Sequence, residues 1–167
     1  MTLDGIAFRL DCLTKVDDKI MVLEEATEFW ARERGLIPND DYNMQLLKLG
    51  EEIYEFTKAN TSVDKVDAVG DILVVSVTLR HRAKTPFKPF VCSFKHSDST
   101  AIVDVFLRLT REAIKTPGVG KFQQIWDALP GGDNYKLDCW YEALKVIWDR
   151  KGKKVGNDFI KSEDLHG

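Results

Sequence analysis

Two acidic patterns, each at helical spacing, are the residues in this sequence best suited to do chemistry. Over residues 43–60 the run QLLKLGEEIYEFTKA reads as a helix of about 18 residues. At about 100° per residue, Gln45, Lys48, Glu52, Glu55 and Ala59 share one face, with Glu51 on its flank and Leu46, Leu49, Ile53 and Phe56 beside it. A second helix over 63–82 places Asp64, Asp67, Asp71, Val74, Val75 and Thr78 on one face and Val66, Val69, Leu73 and Val77 on the other. Asp71 is thereby set among apolar side chains. An ionised carboxylate in such a place is costly unless it is paired or bound to a cation, and Lys48 alone cannot offset three or four acids. A divalent cation can. Oxygen-only ligation with positions left for water and phosphate oxygens suits Mg²⁺ or Mn²⁺, with Glu52, Glu55 and Asp71 as ligands and Asp67 as a fourth. The alternative is that both helices carry ordinary solvated acidic faces.

Other chemistries are poorly served. Glu24, Glu25 and Glu28 repeat the EExxE spelling, but Trp30 and the run ARER follow instead of a second acidic helix, so these acids read as a solvated face. Cys12, Cys92 and Cys139 are odd in number and lack a CxxC, which argues against a disulfide framework or a thiolate zinc site. His81, His96 and His166 show no ligand spacing. There is no GxSxG and no GxxxxGKS phosphate loop.

The elements that must position the acids follow from periodicity and punctuation. A helix over 15–34 stops at Gly35; the turn LIPNDDYN leads to the helix over 43–60, capped by Asn43 or a nearby Asp. Gly70, inside the helix over 63–82, costs helix propensity and is explained by close approach of another helix or a ligand. Residues 83–99 hold two prolines and break the pattern. Helices are expected over 99–115, 120–129 and 136–151, and the tail GKKVGNDFIKSEDL fits a small hairpin.

The chain of 167 residues has the length of one domain, with 44% apolar and 31% charged residues and a net charge of −3 from 24 basic and 27 acidic side chains. That balance suggests neither disorder nor a nucleic-acid-binding scaffold. The longest apolar run, residues 72–75, is far too short for a membrane span, and the start MTLDGIAFRLD lacks a signal layout, so a cytoplasmic protein without membrane or nucleic-acid partners is expected. The helix over 63–82 is apolar on most sides, more than short neighbours easily cover, which predicts a homodimer or homotetramer.

QLLKLGEEIYEF followed by DKVDAVGDILVVSVTL resembles the MazG-like branch of the all-α nucleoside triphosphate pyrophosphatase superfamily. EFWARERGLI resembles the segment that precedes this motif in small phage and bacterial members, and DRKGKKVGNDFIKSEDL resembles their ending; the three blocks cover about half the chain in the right order. The resemblance implies an all-α helical bundle with a small C-terminal β-hairpin, a single domain over 1–167 with a helical insert at about 81–136, and a cytoplasmic oligomer, in the host cytoplasm if phage-encoded. It also implies Mg²⁺-dependent hydrolysis of a (deoxy)nucleoside triphosphate to the monophosphate and pyrophosphate.

The site set is then catalytic Glu51, Glu52, Glu55 and Asp71, with Glu51 or Glu52 orienting or deprotonating the attacking water, and metal-binding Glu52, Glu55, Asp67 and Asp71. Substrate contacts fall to Lys48, to Arg150, Lys151, Lys153 and Lys154 as a phosphate clamp, and to Gln45 at a base edge or a metal water. The bland reading of the basic block is an ordinary helix C-terminus. Trp30 leads the aromatic side chains that could stack a base, ahead of Tyr54, Trp126, Trp140 and Trp148, although aromatics at helical spacing usually belong to a core. Two features depart from the family. The superfamily's second acidic block reads ExxD, whereas here it is Ala68-Val-Gly-Asp71, with Asp67 or Asp64 on the same face as substitutes. The insert is also unusually long, and a lid, an oligomer surface or a determinant of substrate choice would each suit it. Rival readings are a narrower dUTP or phosphoribosyl-ATP pyrophosphohydrolase and a non-catalytic helical interaction protein.

Overall fold

The computed structural model describes residues 1–37, 42–79, 101–115, 122–150, 152–155 and 158–161. The described helices are α1 (Leu3–Asp11), α2 (Val16–Glu33), α3 (Tyr42–Lys58), α4 (Ser62–Thr78), α5 (Ala101–Lys115), α6 (Phe122–Ala128) and α7 (Asp133–Trp148). Strands β1 (Gly152–Val155) and β2 (Asp158–Lys161) pair antiparallel, Gly152 opposite Lys161 and Val155 opposite Asp158. The class is all-α, and among the described residues no helix is long and apolar enough to cross a membrane.

α4 lies at the centre because it is apolar nearly all round. Val69, Ile72, Leu73, Val74 and Val77 are buried, and α2, α3, α6 and α7 of the same chain cover them. One chain therefore suffices to cover its girth, contrary to the reasoning that called for a second copy. The tightest crossing is between α4 and α7, and Gly70 makes it possible. A Cβ there would overlap the Cys139 carbonyl oxygen and stand 2.7 Å from the Ala143 methyl. Of the two explanations offered by the sequence, a neighbouring helix is the one observed.

Local signals account for most helix ends. α2 ends before Gly35, whose φ of 69° is easily reached only without a side chain. α4 begins in a capping box, with Thr61 Oγ1 accepting from the Asp64 amide at 3.1 Å and the Thr61 amide donating to Asp64 Oδ2 at 3.4 Å. Asn43 falls inside α3, so it is not the cap. α1, absent from the sequence reading, is a short helix whose Thr2 hydroxyl accepts from the Gly5 amide at 3.2 Å. At the α6–α7 corner the Trp126 indole donates to Asp133 Oδ1 at 3.2 Å. There Lys136, only 6% exposed, spends its charge on the Trp126 carbonyl at 2.7 Å.

α5, within the expected insert, packs on α3 at Gly50, where a Cβ would stand 2.9 Å from the Phe106 ring. Gly50 lies roughly 140–160° round the helix from Lys48, Glu52 and Glu55. α5 thus braces the back of the acidic helix and is no lid over its acids. Residues 80–100 and 116–121, with His81, Cys92 and His96, lie outside the described residues, as do Gly156, Asn157 and His166.

Candidate functional site

α3 and α4 form an antiparallel pair, and a polar contact between them marks their register. Thr78 Oγ1, near the end of α4, lies 2.7 Å from Gln45 Oε1, near the start of α3, and 2.6 Å from the Val75 carbonyl oxygen. Two helical turns inward from Gln45 is Glu52, and two turns inward from Thr78 is Asp71. The two carboxylates therefore come level across the pair. One further turn brings Glu55 level with Ala68.

Burial and charge are arranged as that register requires. Glu52 is 5% exposed, and Lys48 donates to its Oε1 at 2.9 Å. The same ammonium lies 3.3 Å from Glu51 Oε2. Burial works against the Lys48 charge, but the bonds and charges of Glu52 and Glu51 outweigh it, and its pKa rises. Burial pushes the Asp71 carboxyl up to about 7; the charges of Glu52 and Asp67 add to this, and Arg150 and Lys48 oppose it. Glu55 is likewise raised, by burial first, then by Glu52, with Asp67 and Glu51 adding and Lys48 opposing. Glu51, Glu52, Glu55, Asp67 and Asp71 thus repel one another in one place, offset chiefly by Lys48 and Arg150.

Asp67 and Asp64, the two acids on the same face of α4 as Asp71, differ in their surroundings. Asp67 acts on both Glu55 and Asp71, whereas Asp64 is engaged in the α4 capping box. Ala68, 5% exposed, puts a methyl group at the level of Glu55. The donor set is oxygen only and holds more negative than positive charge, which fits a hard divalent cation. Among the described residues no three such side chains already stand close enough together to hold an ion.

The other predicted residues divide. Arg150 faces Asp71. Lys151 lies outside the described residues; Lys153 and Lys154 have backbone positions in β1. Trp30 is placed in the core, 8% exposed, with its indole donating to the Ile147 carbonyl at 3.0 Å and its ring under Arg34, so it offers no open platform for a base. Trp126 and Trp140 are buried, and Trp148 stacks on Phe29 at 6.0 Å. Tyr54, 48% exposed, is the open aromatic of that group, with Lys58 5.3 Å from its ring centroid. The second EExxE run behaves as a solvated face: Glu25 pairs with Arg9 at 2.7 Å, and Arg32 stands 3.9 Å from Glu28. Cys12 is exposed and Cys139 buried, both as free thiols.

Arg34 was given no role in the sequence reading. Its guanidinium sits 5.0 Å from the Trp30 ring centroid and donates to the Trp30 carbonyl at 3.2 Å, the Trp148 carbonyl at 2.5 Å and the Arg150 carbonyl at 3.0 and 3.2 Å. Burial lowers its pKa, against the charges of Glu33 and Asp149. The four-residue spacing from Trp30 was the available signal.

No family model, curated protein or solved structure matches the chain.

Proposed function

We propose that this chain is a Mg²⁺-dependent nucleoside triphosphate pyrophosphohydrolase, with Mn²⁺ an acceptable substitute, acting in the cytoplasm as a homodimer or homotetramer, an assembly supported by the family resemblance and not by uncovered apolar surface on α4. The observation that carries the reading is that Glu52 and Asp71 come level across α3 and α4, with Glu55 and Asp67 near enough for their charges to act and, among the described residues, Lys48 and Arg150 to offset them. Glu52, Glu55, Asp67 and Asp71 would hold the cation, which supplies the positive charge that draws a triphosphate to an acidic surface.

The chain's own residues account for the remaining needs. Glu51, exposed and tethered to Lys48, or Glu52 orients a water molecule against the α-phosphorus and takes its proton. The water oxygen bonds to that phosphorus as the bond to the α–β bridging oxygen breaks, which yields monophosphate and pyrophosphate. Arg150 covers phosphate oxygens beside Asp71, with Lys151 and Lys153 continuing the basic run. Gln45, tied to Thr78, holds the α3–α4 register.

The test is pyrophosphate release from a panel of ribo- and deoxyribonucleoside triphosphates including dUTP, with and without Mg²⁺. Metal-dependent release that is lost in Glu55→Ala and Asp71→Ala is the expected result; a response confined to dUTP would narrow the reading to a dUTP pyrophosphohydrolase, and one confined to phosphoribosyl-ATP, added to the panel, to a phosphoribosyl-ATP pyrophosphohydrolase. Ala68 at the level of Glu55 favours a second reading, a non-catalytic helical interaction protein, and a folded but silent protein would select it.

A further inference from the structure

The end of α7 is held by two side chains from the end of α2, those of Trp30 and of Arg34, the residue that caps the helix. A helix ends with four carbonyls that lack intrahelical partners, and their direction decides where the following chain goes. Here the Trp30 indole takes the Ile147 carbonyl at 3.0 Å. The Arg34 guanidinium takes the Trp148 and Arg150 carbonyls while anchored to α2 through the Trp30 carbonyl and stacked on the Trp30 ring. A planar guanidinium with five donors can serve three carbonyls at once, whereas an ammonium lacks the fork to do so. The cation also lies where two helix C-termini, those of α2 and α7, gather partial negative charge. Arg150, whose carbonyl is thus fixed, opens the basic run Arg150, Lys151, Lys153 and Lys154.

We propose that Arg34 is a positioning residue: by fixing the Trp148 and Arg150 carbonyls it sets the exit of the chain from α7 and with it the placement of Arg150, whose guanidinium meets the phosphate oxygens of the substrate. The substrate part rests on the pyrophosphohydrolase reading, whereas the clasp on the end of α7 does not. Arg34 touches no reacting atom. Its contribution is felt in how tightly the triphosphate is held, through Arg150.

The experiment combines steady-state pyrophosphate release with amide hydrogen exchange on the full chain, for wild type, Arg34→Ala, Arg34→Lys, Arg150→Ala and the double variant Arg34→Ala/Arg150→Ala. Arg34→Ala is expected to raise KM roughly tenfold with kcat within about twofold, as misplacement of a binding group does. Arg34→Lys recovers part of that loss, and the double variant is no worse than Arg150→Ala alone, because the two residues act as one unit. Exchange should speed up in β1 and the last turn of α7 and stay unchanged in α3. Losses that multiply in the double variant, or a fall in kcat at constant KM, would overturn the positioning role. Unchanged exchange at the end of α7 in a folded Arg34→Ala protein would overturn the clasp itself. If wild type releases no pyrophosphate while exchange still responds to Arg34→Ala, the clasp stands and the enzymatic reading falls.

Discussion

Glu52 and Asp71 face each other across an antiparallel helix pair, each two turns in from the contact between Gln45 and Thr78. Both sit largely out of water, and Lys48 donates to Glu52 alone of the pair. Two carboxylates so placed oppose folding whenever both are charged, so the pair is held together by the packing around it and not by its own chemistry.

A pH dependence follows. The Asp71 carboxyl is raised from an ordinary 3.8 to about 7, so the folded state favours its neutral form. Stability from this group is complete below pH 4 and is lost as pH rises towards and through 7. In metal-free buffer Asp71→Asn should therefore melt higher than wild type, by a margin that widens from pH 5 to pH 8 and reaches several °C. Adding Mg²⁺ should close that gap by raising the wild type alone. Differential scanning calorimetry at both pH values would refute this if the margin stayed constant.

Ala68→Glu would place a carboxylate level with Glu55. The position is buried, so the metal-free protein should lose about 1–3 kcal/mol. With four or five acids converging, Mg²⁺ should bind roughly tenfold more tightly. Isothermal titration with Mg²⁺, beside a melting curve with and without the ion, reads both effects, and equal affinity for the two proteins would count against a cation at this level of the helix pair.

Gly70→Ala attacks the α4–α7 crossing. The added methyl meets the Cys139 carbonyl, a backbone atom that cannot rotate away, so the helices must separate. A loss of about 1–3 kcal/mol is expected. Ala143→Gly in the same chain should recover little, since it relieves the Ala143 contact but leaves the carbonyl in place. Urea unfolding of the single and double variants measures this directly.

Trp30 and Tyr54 should separate cleanly. Trp30→Phe keeps a ring but removes the donor to the Ile147 carbonyl, at a cost of about 1 kcal/mol, and Trp30→Ala should cost about 3–5 kcal/mol. Tyr54→Ala, at an exposed position, should stay within about 0.5 kcal/mol. A large stability loss at Tyr54 would reveal burial that the single chain does not show.

The acidic face was legible in the sequence because helical spacing is a local property, and α3 and α4 keep their period from end to end. Gly70 was legible as a sign of close approach, but the partner, Cys139 on α7, lies far along the chain and no periodicity announces it. Arg34 was passed over for the same reason: its carbonyl partners at Trp148 and Arg150 carry no side-chain signature at all. Trp30 looked like a stacking surface because a tryptophan near an acidic motif has two physical meanings, and only the position of the Ile147 carbonyl distinguishes them. α1 escaped notice because nine residues offer little periodicity to read.

The link between α3 and α4 is short and closed by the Thr61–Asp64 box, so the two acidic helices form a local hairpin. Arg150 reaches them only from the far end of the chain. During synthesis the carboxylates can meet before the residue that offsets them has left the ribosome, since chains emerge at about 5–20 residues per second. The nascent hairpin is for that interval an acidic cluster with Lys48 as its nearby base, and its closing should be faster in the presence of a divalent cation than in its absence.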